Sequence, residues 1–203
     1  MEVFNLPEAA DPSADPKRAR ILDGAMKVFL TYGFSRTTMD DIARAAEVSR
    51  PALYLLFRNK TDIYRAIATG LLAQSIEIAR AALAGDAPFG ERMMAMVERA
   101  MIGLMTAIEA SPHGAEIMDM KTSLAADTLG EWRGRLVDLM AAAIETEGAR
   151  LGADLAAQGI SGQILAGFVF DGLEGLKTQG GGAAAKRDGA RHLIRVVELT
   201  IRP

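Results

Sequence analysis

From residue 16 to about residue 84, apolar positions recur every three or four residues, and polar punctuation cuts them into four helical segments. Asp15-Pro16 is a cap followed by a proline at the first helical position. Ile21, Leu22, Ala25, Val28 and Phe29 then fall on one face of a helix ending near Tyr32-Gly33. Thr38 caps a second, short helix, with Asp40 and Asp41 at the positive end of its dipole and Ile42, Ala45 and Ala46 as its apolar stripe. Val48 is the apolar turn residue. Ser49 caps a third helix, with Pro51 in its first turn, where a missing N–H costs nothing, and Leu53, Leu56 and Phe57 facing inward. Asn59 caps a long helix from Lys60 to about residue 84, with Ile63, Ile67, Leu71 and Ile78 along its inner side.

Beyond Gly85-Asp86-Ala87-Pro88 the pattern changes. The next helix, about 89–110, is apolar round most of its circumference and so belongs in the middle of a second domain. Ser111-Pro112-His113-Gly114 breaks it. Helices of about 115–124 and 127–150 follow, the latter carrying Trp132, Leu136, Leu139, Met140 and Ile144. Ser161 caps a helix reading Ile164, Leu165, Phe168, Val169, Leu173 and Leu176. Gln179–Gly182 is a loop before the last helix. No alternating run suggests a strand and no repeat occurs, so the expected fold is all-α. Residues 1–14 lack any period and are expected to be a disordered tail, followed by domains at 15–62 and 63–203.

The two C-terminal helices carry more apolar residues than one inward stripe needs. Ile164 and Phe168 lie on a different line from Leu165, Val169 and Leu173, and Gly costs about 1 kcal/mol against Ala in a helix interior, which suits Gly167, Gly172 and Gly175 to the close approach of another helix. Ile164, Phe168, Gly172, Gly175, Leu193, Ile194 and Val197 are therefore the expected interface of a four-helix dimer about a two-fold axis.

Residues 37–60 contain two short capped helices and a tight turn. That is a helix-turn-helix, whose second helix enters the DNA major groove. The net charge of −3 argues against a nucleic-acid binder until it is divided: Lys17 to Lys60 holds nine basic and four acidic residues, a local +5, and the rest carries −8. The absence of cysteine excludes disulfides and thiolate metal sites. No signal peptide and no apolar run of spanning length is evident, which leads to the expectation of a cytoplasmic protein without a membrane partner. Phosphate loops, metal-binding histidine pairs and nucleophile elbows are missing from the sequence. His113 and His192 lie far apart, and His113, in a Pro/Gly turn, reads as a surface residue, with the border of a pocket as the alternative. Neither an enzyme nor a cofactor is expected.

The order Thr-Thr…Asp-Ile-Ala…Ala…Val-Ser-x-x-x-Leu-Tyr-x-x-Phe-x-x-Lys, over roughly residues 17–65, resembles the DNA-binding domain of the TetR family of bacterial repressors. Two departures stand out. Where the family usually has a turn glycine this chain has Glu47, so a residue with a β-carbon takes the left-handed turn at a cost of about 1 kcal/mol. The two positions after Tyr54, often histidine or aromatic in the family, are Leu55 and Leu56. The resemblance implies an N-terminal three-helix DNA-binding domain and a larger helical domain for ligand binding and dimerisation. It also implies a homodimer on a palindromic operator, released when a small apolar or amphipathic molecule enters the larger domain.

On that reading Arg50 is the candidate for taking guanine O6 and N7 together, and Ala52 and Leu55 for touching thymine methyls, with Pro51 beside them. Thr38, Tyr54 and Lys60 correspond to family positions that hold phosphates, and Ser49 joins them. Eight of the eleven methionines lie between Met93 and Met140, and methionine adapts to varied apolar partners. The expected effector pocket is drawn from Met93, Met96, Met101, Met105, Met118, Trp132 and Met140. A rival reading, a DNA-binding protein that senses nothing, predicts a filled second domain instead.

Overall fold

The computed structural model describes residues 15–178 and 182–202, and leaves undescribed the side chains of residues 104, 120–124, 177, 178 and 183. The expected N-terminal tail and most of the 179–182 loop lie outside the described residues. The chain is all-helical, without a strand among those residues. Its elements are α1 (Pro16–Tyr32), α2 (Met39–Ala45), α3 (Arg50–Leu56), α4 (Lys60–Leu83), α5 (Phe89–Met96), a π-helical segment (Val97–Ile102), α6 (Gly103–Glu109), α7 (Gly114–Leu124), α8 (Ala126–Leu151), α9 (Gly162–Thr178) and α10 (Ala183–Thr200).

These form two compact units, residues 1–74 with 105–130 and residues 75–104 with 131–203. The unit holding the helix-turn-helix thus extends past residue 62 to take in the start of α4 and all of α7. By length and hydropathy alone α4 is able to cross a bilayer, yet Ile63, Ile67 and Leu71 are buried in the first unit and Ile76 and Ala79 in the second.

In the first unit, Ile21, Ala25 and Phe29 of α1, Ile42 of α2, Leu53 of α3 and Ile63 of α4 are all buried. Gly24 lets α1 and α2 meet, because a β-carbon there would lie 2.8 Å from the Ala46 nitrogen. Phe34 closes this core, 5.1 Å from the Phe29 ring and 5.8 Å from Tyr64. The Tyr64 hydroxyl donates to the Ile117 carbonyl of α7 (2.8 Å), and burial pushes its pKa up to about 12.

The second unit is one apolar core, built from the end of α4, α5, the π segment, α8, α9 and α10. The expected single helix over 89–110 is interrupted: Val97–Ile102 widens into π geometry. Within it the Ala100 carbonyl accepts the hydroxyl of buried Ser75 (2.7 Å), and the Ser75 oxygen accepts the Trp132 indole N–H (3.1 Å). The Trp132 ring stands edge-on to Phe170 at 5.7 Å.

Candidate functional site

The reading head is assembled from local polar contacts. Thr38 and Asp41 form a reciprocal cap on α2: the Asp41 N–H donates to the Thr38 hydroxyl oxygen (3.2 Å), and the Thr38 N–H and hydroxyl donate to the Asp41 carboxylate (2.9 and 2.6 Å). Those bonds hold the Asp41 carboxyl below the usual carboxylate range. The turn to α3 passes through Glu47 at φ 52°, the left-handed conformation expected for it, and the Val48 N–H bonds to the Ala43 carbonyl (3.0 Å). Ser49 starts α3, its oxygen accepting from the Ala52 N–H (3.3 Å) and its own hydrogen left for another acceptor.

Leu53 and Phe57 anchor α3 in the core. Leu56, expected inside, is exposed: it is the last residue of α3, and the core takes Leu53 before it and Phe57 after it instead. Ser49, Arg50, Pro51, Tyr54 and Leu55 face solvent and Ala52 is half-buried. The Arg50 guanidinium donates to Asp40 of α2 (3.1 Å) and lies 5.7 Å from the Tyr54 ring centre. It is thus held at the flank of α3 without being buried.

Lys60 does something the sequence pattern did not suggest. Its ammonium donates to the carbonyls of Phe34 (2.7 Å), Ser35 (3.1 Å) and Thr37 (2.9 Å), and sits 4.6 Å from the Phe34 ring. An ammonium has three donors, and all are spent. The phosphate contact expected of Lys60 is corrected on that ground: it fastens the loop leading into α2. Glu116 of α7 grips the same loop from another side, its carboxylate accepting the Ser35 N–H (2.8 Å) and hydroxyl (2.6 Å). These bonds keep the Glu116 carboxyl below its ordinary range, with His113 3.8 Å away adding to the effect. His113 is half-buried and borders a cleft of about 650 Å³, lined also by Thr31, Tyr32, Arg36, Asp41 and Arg44.

Residues 21–67, which span this head, match the bacterial regulatory proteins of the tetR family. The chain is 34% identical over 93 residues to the uncharacterised HTH-type transcriptional regulator YhgD of Bacillus subtilis, covering 46% of each protein. The helix-turn-helix head belongs to the TetR family. Matches to the curated relatives span less than half of their length. The fold extends further. The fatty acid degradation regulator FadR of Bacillus halodurans superposes with a TM-score of 0.62 at 18% identity, over 93% of this chain and 95% of that one. SmeT, the repressor of the Stenotrophomonas maltophilia multidrug efflux pump SmeDEF, gives 0.60 at 21% identity, over 91% and 90%. These relatives are named as regulators of transcription.

The methionines expected to line an effector pocket divide between the two units. Met93, Met96, Met101 and Met140 belong to the core of the second unit, with Trp132 half-buried against it, whereas Met105 and Met118 fall in the first unit. Met93, Met96 and Met140 are 0% exposed, so no space large enough for a water touches them. Among the described residues no cluster of metal-binding side chains occurs.

At the C-terminal helices, Ile164 (58% exposed) and Phe168 (48%) stand in solvent while Leu165, Val169 and Leu173 are buried, as their separate lines require. Gly172 serves the chain's own packing, since a β-carbon there would lie 2.7 Å from Leu193, and Gly175 is exposed. Ile194 and Val197 need correction: both are buried in the second unit's core and have almost no surface to offer a partner. The apolar residues that α10 does expose are Val196 and Leu199, one position or two from the expected ones.

Proposed function

We propose that this protein is a sequence-specific DNA-binding transcriptional repressor that acts as a homodimer on a palindromic operator and lets go when a small apolar or amphipathic molecule enters its second unit. The observation that carries the DNA-binding part is the solvent-facing surface of α3, which presents Arg50, Pro51, Tyr54 and Leu55 on a helix anchored from behind by Leu53 and Phe57. Arg50 is the base-reading cation, Ala52 and Leu55 its apolar neighbours, and Thr38, Ser49 and Tyr54 the phosphate contacts. DNA recognition is assigned to residues 15–62, and effector binding and dimerisation to residues 63–203.

Dimerisation is supported by the exposed side chains of Ile164, Phe168, Val196 and Leu199 on α9 and α10. Two heads about 34–36 Å apart reach successive major grooves on one face of the duplex. The effector has to displace methionine side chains to enter, a motion suited to their unbranched, adaptable chains. SmeT, which shares the fold, is a repressor.

One observation favours a second reading. The closed packing of Met93, Met96 and Met140 is what a DNA-binding protein that takes no ligand would have. Fragments of the protein's own genome retained by the full chain separate the two in part: a recurring inverted repeat supports the repressor, and retention that any DNA competes away overturns it. Arg50→Ala lowers affinity for the repeat by about 1–3 kcal/mol and relaxes one base position per half-site. Phe168→Glu yields monomers by light scattering, with helices intact by circular dichroism; a folded mutant that remains a dimer moves the interface elsewhere.

A further inference from the structure

The centre of the DNA-facing surface of α3 is apolar. Successive residues of an α-helix turn by about 100°, so Pro51 and Leu55, two positions either side of buried Leu53, each point about 160° away from the core. Arg50 is only about 60° from the Leu53 direction, which is why it reaches Asp40 on α2. The side chains that stand furthest out are therefore a proline ring and a leucine. Leu55 is 86% exposed, more than any other large apolar side chain described.

An isolated exposed leucine needs no explanation on an ordinary surface. This one stands on a helix inside a basic stretch: Lys17 to Lys60 carries a net +5. A basic surface excludes an apolar protein partner less well than it attracts a polyanion, and the DNA major groove offers one apolar group on its base edges, the 5-methyl of thymine. We infer that each half-site is read at its centre through thymine methyl groups, with Leu55 as the side chain that selects them. This rests on the DNA-binding reading above. A leucine has no donor or acceptor for a polar contact with a base, and its discrimination comes from covering a methyl.

The test uses the full chain and a pool of random duplexes. Selection yields a motif with a T·A pair at a fixed position, and replacing that thymine alone by deoxyuridine, which lacks only the methyl, weakens binding about fourfold per half-site, the equivalent of one buried methyl group. Leu55→Ala, a change at an exposed site that leaves the fold intact by circular dichroism, brings the thymine-to-uracil ratio to about one. A side chain with only a structural role would weaken both duplexes alike. A selected motif indifferent to the uracil exchange overturns the inference while leaving DNA binding standing. A ratio that survives Leu55→Ala overturns the role of Leu55. Selection of no motif at all removes the DNA-binding reading, and the inference falls with it.

Discussion

The two units of this chain are held by opposite means. The first has at its centre two helices of seven residues, α2 and α3, which cannot stand alone, and it is fixed by named polar contacts: the Thr38–Asp41 cap, the Ser49 cap, Lys60 on three carbonyls, Glu116 on Ser35. The second carries long helices and one continuous apolar core, with Ser75 as its buried polar residue. Directional bonds fix geometry to a few tenths of an ångström, whereas apolar contact is indifferent to direction. A surface that must match base edges suits the first construction. A core that can repack suits the second.

Met140→Ala tests the second half of that contrast with the largest expected effect. Emptying a fully buried site lowers stability by about 2–5 kcal/mol, measured by urea denaturation. A loss below about 1 kcal/mol would show that the core closes over the gap, making it softer than its packing indicates. Lys60→Ala comes next. It strands three carbonyls at a partly buried loop, and hydrogen bonds to a charged group contribute about 1.5–3 kcal/mol, so a destabilisation of about 2 kcal/mol is expected in the thermal melt of the head. If the mutant melts like the parent yet binds all DNA more weakly, Lys60 holds a phosphate after all.

Glu47→Gly should raise stability by about 1 kcal/mol, since glycine adopts the left-handed turn without the β-carbon penalty. An unchanged melting temperature would mean that the Glu47 side chain repays its own strain. The smallest effect belongs to Glu116. Its carboxyl titrates below the ordinary value in the folded chain, so its stabilisation is present above pH 4.5 and drains away as pH falls through the lowered pKa. Glu116→Gln should therefore be less stable than the parent at neutral pH, with the gap closing under acid; a gap that persists at low pH assigns the effect to packing.

Caps were legible in the sequence because each is written within three residues: Asp15 with Lys17, Thr38 with Asp41, Ser49 with Ala52, Asn59 with Asp62. The left-handed turn at Glu47 was legible as a departure from a family pattern. What Lys60 does was not, since its acceptors lie 23 to 26 residues away and a lysine bonding to carbonyls leaves no pattern in either partner. The π segment escaped notice for another reason. Four of its six residues are apolar and its two charged ones, Glu98 and Arg99, are adjacent, so periodicity has too few polar marks with which to measure the width of a turn. The same ambiguity placed Ile194 and Val197 outside, because α10 has apolar residues on more than one line and only packing decides which is turned inward.

The aromatic inventory divides along the same border. Tyr32, Tyr54 and Tyr64, all the tyrosines of the chain, lie in the first unit; Trp132, its one tryptophan, lies in the second. The indole is hydrogen-bonded to Ser75 and set against Phe170, so any rearrangement of that core changes its surroundings first. The protein thus carries two natural optical channels that need no label: indole emission follows the second unit, and the phenol signal follows the head. A titration watched in both would separate an event that begins among the methionines from one that begins at the reading helix.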